Sequence, residues 1–284
     1  MNANRSPASR VDAHHHVWRL ARGDYGWLTP ALAPIYRDFT LDDLRPLLAR
    51  ARIGATVLVQ AAPTVGETDF LLEVAHASDG LVRGVVGWVD LVAPDAADTL
   101  ERLARDPLLK SIRPMLHDIP DTEWILRPDV DRALAVIESV GLRFDALVKP
   151  PHLPALLQMI ERHPSLPVVI DHGAKPQIVD RAWEPWATEI GDLADHPRVV
   201  CKLSGLVTEA GPAWSPHKLG TYVDHLLDCF GPKRLLWGSD WPVVNLAGGY
   251  HRWVRATEQI LAGIPDGDRI AILGDNARRF YGLS

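Results

Sequence analysis

Eight apolar, β-branched runs alternate with amphipathic stretches along the chain, and no other feature of the sequence restricts the fold so tightly. The first begins at Val11. The others are 55–61 (ATVLVQA), 82–90 (VRGVVGWVD), 109–115 (LKSIRPM), 142–148 (LRFDALV), 167–173 (PVVIDHG), 199–205 (VVCKLSG) and 234–240 (RLLWGSD). Short runs rich in Val, Ile and Leu read as strands buried on both faces of a sheet. The segments between them read as helices. Thr40-Leu41-Asp42-Asp43 is a capping-box pattern, and Leu44, Leu47 and Leu48 continue it as an apolar stripe. Asp129 is placed to cap 130–140, with Gly141 where that helix would stop. Helical patterns follow at 153–163, 183–195, 217–230 and 249–263, with a short extra helix over 276–281. Strands that alternate strictly with helices must run parallel, because each crossover returns the chain to the same starting edge. The chain has 284 residues and contains neither GxGxxG nor GxxxxGK[ST]. An α/β fold is therefore expected: a single-domain (β/α)8 TIM barrel over 11–284, preceded by a disordered or extended tail over 1–10.

Such barrels carry their chemistry at the C-terminal ends of the strands. The first run ends in His14-His15-His16, and strand alternation sends His14 and His16 one way and His15 the other. Gln60 ends the second run, Arg113 lies in the fourth, and Asp171-His172 end the sixth. Lys202 and Ser204 come from the seventh, and Asp240 closes the eighth ahead of Trp241-Pro242. His14, His16, His172 and Asp240 should therefore meet at one mouth. Three imidazoles and a carboxylate suit zinc or a similar divalent ion. Asp240 is the candidate base for an attacking water. Arg113 and Gln60 can reach polar groups of a substrate, while Trp27, Trp88 or Trp241 can face its carbons. His163 and His196 precede prolines at helix ends, and His76, His217, His225 and His251 read as solvated helix residues. His117 and His152 follow the fourth and fifth strands and stand as rim residues.

Composition removes other classes. Hydrophobic residues make up 47% and charged residues 23%, with a formal charge of -6 and no cluster of Lys and Arg. That is an ordinary globular balance and not a nucleic-acid surface. No run approaches the roughly 20 apolar residues that span a bilayer. MNANRSPASR has no apolar run, so no secretory signal is expected there. Two cysteines without a CxxC pair argue against a thiolate zinc site and fit a reducing cytoplasm. The absence of GxSxG leaves no indication of a serine acyl-enzyme.

The segments DAHHHVW, DHGAKP, CKLSGL and WGSDWP, in that order and joined by Asp24-Tyr25-Gly26-Trp27-Leu28, resemble the amidohydrolase superfamily and within it the sugar-lactonase branch. The likeness runs from Val11 to Tyr281. It implies a (β/α)8 barrel with His14, His16, His172 and Asp240 in the active site. It also implies hydrolysis of an aldonolactone, L-fuconolactone first, by activated water. The expected partner is thus a small sugar lactone, with no nucleic acid and no membrane, and no oligomeric state follows from it. Two departures matter. Binuclear members are similar to one another in a second histidine on the strand after the His172-type one, where this chain has Lys202 and Ser204. Lys149, in a Lys-Pro-Pro setting, reads as a turn rather than a bridging lysine. A two-metal site is therefore not expected, and the decarboxylase branch of the superfamily is the weaker alternative. A dicarboxylate lactone hydrolase, with Arg113 on a substrate carboxylate, and a non-catalytic sugar-binding barrel also fit. Two mechanisms fit: one divalent ion, zinc first, that activates water, or a metal-free site in which the histidines hydrogen-bond the carbonyl oxygen. The site is expected to accommodate one ion, whether or not activity requires it.

Overall fold

Parallel strands and crossover helices alternate through the structure, a computed structural model that describes residues 10–283. The strands are β1 (Arg10–His15), β2 (Ile53–Val59), β3 (Val82–Gly87), β4 (Leu109–Ile112), β5 (Arg143–Ala146), β6 (Val168–Ile170), β7 (Val199–Leu203) and β8 (Leu235–Trp237). They form one eight-stranded sheet in sequence order, every neighbouring pair parallel. The helices are α1 (Leu41–Ala51), α2 (Val65–His76), α3 (Ala96–Leu103), α4 (Pro128–Ser139), α5 (Leu153–Arg162), α6 (Trp186–Ala194), α7 (Leu206–Glu209), α8 (Pro216–Phe230), α9 (Tyr250–Ile260), α10 (Asp266–Ile270) and α11 (Asn276–Tyr281). This is the single-domain (β/α)8 barrel expected from the alternation. The tail expected over 1–10 lies outside the described residues except for Arg10. Arg10 belongs to β1, and its guanidinium reaches Glu258 at 2.8 Å.

Two apolar clusters hold the layers together. The larger joins the outer faces of the strands to the helices, through residues such as Leu44, Leu71, Leu100, Leu134, Leu156 and Leu226. The smaller holds Val11, Ala13, Val57, Val86, Val169 and Leu236 together with Ala277 and Tyr281 of α11. Side chains from β2 and β6 can share a cluster only inside the closed cylinder, so α11 packs into its interior. Each such buried side chain contributes on the order of 1.5–3 kcal/mol. The capping box forms at α1, where Asp43 accepts from the Thr40 backbone N–H at 2.9 Å. At α4 the structure corrects the reading of Asp129. The helix starts at Pro128, and the Asp129 carboxylate binds Arg127 at 2.7 Å and 3.0 Å rather than lying ahead of the helix. Gly141, at φ 75°, takes the left-handed turn after α4.

The seam between β1 and β8 is closed by the residues of the mouth. The Asp240 N–H donates to the His14 carbonyl at 2.8 Å, and the His16 N–H donates to the Trp241 carbonyl at 2.7 Å. Beneath them Asp12, fully buried, accepts from the Ser239 N–H at 2.8 Å and from the Tyr250 hydroxyl at 3.0 Å. Gly238 sits where a Cβ would lie 2.6 Å from the Cβ of His14 and 3.0 Å from its backbone nitrogen. Backbone cannot yield at that distance. Gly238→Ala should therefore cost about 1–3 kcal/mol as an overpacked seam. A lowered thermal midpoint, with reduced activity per folded molecule, is the expected reading; a wild-type midpoint would show the seam to be slack.

Candidate active site

The regular strands stop earlier than the apolar runs do, because the chain turns sharply at the mouth. β6 ends at Ile170, and Asp171–Ala174 forms a tight turn in which His172 has φ 56° and ψ 32°. Asp240, three residues past β8, has φ 57°. A non-glycine residue in this left-handed region costs on the order of 1–3 kcal/mol, and such residues gather at functional sites. The turn keeps both side chains on the mouth. Gly205, at φ 64°, backs His172 so closely that a Cβ there would lie 2.5 Å from the imidazole Nδ1. The glycines of CKLSGL and WGSDWP thus leave room for the histidines of DHGAKP and DAHHHVW.

The four expected residues do meet. Asp240 Oδ1 lies 3.3 Å from His16 Nε2, 3.7 Å from His14 Nε2 and 3.9 Å from His172 Nε2. All four are buried. His16 Nδ1 faces the Val59 carbonyl at 2.8 Å, and a carbonyl only accepts. Nδ1 therefore carries the proton, and Nε2 turns toward Asp240. His172 Nδ1 pairs with Ser204 Oγ at 2.8 Å. His14 Nε2 is buried without a hydrogen-bond partner. Its Nδ1 lies between Lys202 Nζ at 3.2 Å and Asp171 Oδ1 at 3.5 Å. Accepting from Lys202 places the His14 proton on Nε2, as a donor into the cavity. Donating to Asp171 leaves Nε2 as a lone pair. The same site thus suits an oxyanion in one tautomer and a cation in the other.

The residue set fits a divalent ion. Ligand atoms of His14, His172 and Asp240 lie within 4.8 Å of one another, and the unpartnered His14 Nε2 points among them. Burial holds His14 well below the ordinary histidine value and His172 down at about 4, so both rings are neutral at neutral pH. Burial alone would raise Asp240, but His172, His16 and His14 together hold it below the usual carboxylate range. Neutral imidazole and ionised carboxylate are the forms that bind a metal.

Behind this ring lies a fully buried ion network. Lys202 Nζ donates to Asp145 Oδ2 at 2.6 Å and contacts Asp171 Oδ1 at 2.9 Å. Arg113 reaches Asp171 Oδ2 at 3.1 Å and donates to the Gln60 carbonyl. Tyr281 of α11 donates to Asp145 at 2.7 Å, which ties the end of the chain to the floor of the site.

The cavity in front of Asp240 measures about 290 Å³ and is lined by His16, Trp27, Arg113, His117, His172 and Lys175 among others. Arg113 and Trp27 are therefore where a substrate would be met, and His117 is a rim residue as expected. Gln60 and Trp241 are not. The Gln60 side chain is fully buried and donates to the Arg113 carbonyl at 2.7 Å, so it supports Arg113 instead of reaching a substrate. Trp241 is buried edge-on against Phe39, with ring centroids 5.2 Å apart, because its backbone is consumed in closing the seam. Trp88 does not line the cavity either. Reading strand ends missed Lys175, three residues past His172 in DHGAKP, and used neither Asp145 nor Asp171 as site residues. An aspartate inside the apolar run LRFDALV was the available signal for Asp145; nothing in the sequence pointed to Tyr281.

The aromatic loop is fastened from behind. Trp27 Nε1 donates to the Ala61 carbonyl at 2.7 Å, and the Tyr25 hydroxyl donates to buried Glu67 at 2.8 Å. Glu67, near the start of α2, also accepts from the Ala61 N–H at 3.2 Å.

A parallel eight-stranded barrel that gathers imidazoles and a carboxylate at its C-terminal mouth has the architecture of a (β/α)8 barrel enzyme. Comparison with known proteins narrows this. The profile described as Amidohydrolase matches residues 11–283, and the chain belongs to the amidohydrolase family. The chain is similar to an L-fucono-1,5-lactonase of Burkholderia ambifaria, 47% identical over 277 residues that cover 96% of this chain and 95% of the relative. An L-fucono-1,5-lactonase of Burkholderia multivorans is 36% identical, covering 97% of each. A crystal structure of an amidohydrolase from Burkholderia multivorans with bound zinc superposes with a TM-score of 0.91 at 36% identity, covering 98% of this chain and all of that one.

Two variants test the supports of the site. Lys202→Met leaves two buried carboxylates without their shared cation and should cost about 3–5 kcal/mol, read as a lower denaturant midpoint. An unchanged midpoint would mean the network carries no net charge coupling. Burial raises Glu67 from 4.5 to about 7. The unfolded chain therefore releases this proton first as pH rises, so the Glu67 contribution is present below pH 4.5 and lost by about pH 7. Across that window Glu67→Gln should lose less stability with rising pH than wild type does, as followed by urea titration at several pH values.

Proposed function

We propose that this protein opens a neutral sugar lactone to the free sugar acid, with L-fucono-1,5-lactone as the first substrate. The observation that carries the reading is the ring of three imidazoles around the ionised Asp240, at the floor of a small cavity with an indole wall. The similarity to two curated L-fucono-1,5-lactonases supports the substrate.

Ester hydrolysis by water needs a base and a donor-rich pocket for the tetrahedral oxyanion. Asp240 is the base: it takes the proton of the attacking water and returns it to the ring oxygen as the C–O bond breaks. Its low proton affinity suits the second half of that cycle. His14, in the tautomer set by Lys202, offers an Nε2–H to the carbonyl oxygen. Arg113 Nε, buried without a partner, is the second free donor on this wall. Trp27 faces the carbon side of the sugar ring, where an indole packs well against C–H groups. In the other tautomer, with Nδ1 donating to Asp171, His14 would join His16, His172 and Asp240 in holding one divalent ion, zinc first. Such an ion would supply the Lewis acidity at the lactone carbonyl in place of the Nε2–H. The zinc-bearing relative supports that choice of metal. No observation favours a decarboxylase, since β7 brings Lys202 and Ser204 to the mouth in place of another imidazole. Two cysteines without a disulfide, Cys201 and Cys229, support a reducing compartment, and we place the enzyme in the cytoplasm. Among the described residues no helix is long and apolar enough to cross a membrane.

A pH-indicator screen of aldonolactones, run with and without a chelator, tests the reading. L-fuconolactone should release acid fastest. Asp240→Asn should lower kcat by about 10²–10⁴. Wild-type turnover by that variant would remove Asp240 as the base, and activity that survives full demetallation would remove the ion from the mechanism.

A further inference from the structure

Among the described residues two lysine or arginine side chains line the cavity, Arg113 and Lys175, and each already faces a carboxylate from behind. Arg113 is held by Asp171 at 3.1 Å. Lys175 is held by Glu209, the last residue of α7, at 2.6 Å. Glu209 does not line the cavity. It reaches Lys175 across the gap between the β6 and β7 loops, and its own carbonyl accepts from the Val179 N–H at 3.1 Å. Both side chains are largely shielded, 18% and 26% exposed, so solvent screens this pair less than an open surface bridge. Two further carboxylates, Asp118 and Asp240, line the same space. Lys149, close by, is turned to the His117 carbonyl at 3.1 Å. A carboxylate on an incoming ligand would meet cations that are already paired, beside the like charges of Asp118 and Asp240.

We propose that Glu209 is a specificity-determining residue: by neutralising Lys175 it keeps this cavity from holding a carboxylate, so neutral lactones enter and carboxylated ones are refused. The inference rests on the lactonase reading for its substrate class. It also bears on turnover, because hydrolysis of a neutral lactone creates a carboxylate, and a cavity whose arginine and lysine are already paired gives that anion no side-chain countercharge. Specificity of this kind comes from withholding a countercharge, not from adding a clash.

The test uses the full-length protein and a matched pair of substrates, galactonolactone and its carboxylated counterpart galactarolactone. Glu209→Gln should raise the ratio of kcat/KM for the carboxylated over the neutral lactone about tenfold, since a partly shielded ammonium is left for the substrate. Galactarate binding, measured by calorimetry, should tighten by a similar factor. Glu209→Ala should give the same rise, and adding Lys175→Gln to either variant should return both readings to the wild-type values. An unchanged ratio, a loss of both lactones together, or a rise that persists without Lys175 would overturn the proposal. The two readings fail separately. Absence of turnover of any neutral lactone by wild type would sink the lactonase function, while galactarate binding across the variants would still decide the role of Glu209.

Discussion

Closure of β1 against the end of β8 is the constraint on which the rest depends. The two backbone hydrogen bonds of that seam join His14 and His16 to Asp240 and Trp241, and His14, His16 and Asp240 are three of the four residues clustered at the mouth. Barrel closure and assembly of the centre are therefore a single event. A gap in the seam would separate Asp240 from His14 and His16. Gly238 and the buried Asp12 act at this point, one by allowing contact and the other by satisfying the Ser239 N–H and the Tyr250 hydroxyl.

Charge is arranged in layers away from that seam. Deepest lie Lys202 and Asp145, braced by Tyr281; next come Asp171 and Arg113; the imidazoles and Asp240 face the cavity. Burying such ions is costly and tolerable only when each finds a partner of opposite sign. The return is a set of fixed dipoles that need no rearrangement when charge develops on a substrate. Lys202 and Asp171 compete for one nitrogen of His14, and that contest decides whether the ring offers a proton or a lone pair. At the rim the same principle works in reverse. Pairing Lys175 with Glu209 removes a charge from the cavity.

The strands and their order were legible because β-branched runs and helical stripes are local signals, and eight alternations leave few topologies. Their ends were read too long at the C-terminal side, as at 167–173 and 234–240. His172 and Asp240 take left-handed backbone there, which no hydrophobic pattern announces. His14, His16, His172 and Asp240 were found because polar residues ending apolar strands stand out. Gln60 and Trp241 stood out equally, yet one is consumed by the Arg113 backbone and the other by Phe39 and the seam. Lys175 escaped because its reach depends on a loop turn rather than on strand period.

The amino-acid sequence alone determined the parallel (β/α)8 barrel, the identity of the imidazole and carboxylate ring, and the absence of a second histidine on β7, since each follows from residue type and spacing. Only the tertiary structure decided which polar side chains face the cavity and which are spent inside, how Lys202 and Asp171 share His14, and that Glu209 silences Lys175. Those outcomes rest on distances of a few ångströms between residues from different strands and loops, and such distances exist only once the cylinder has closed.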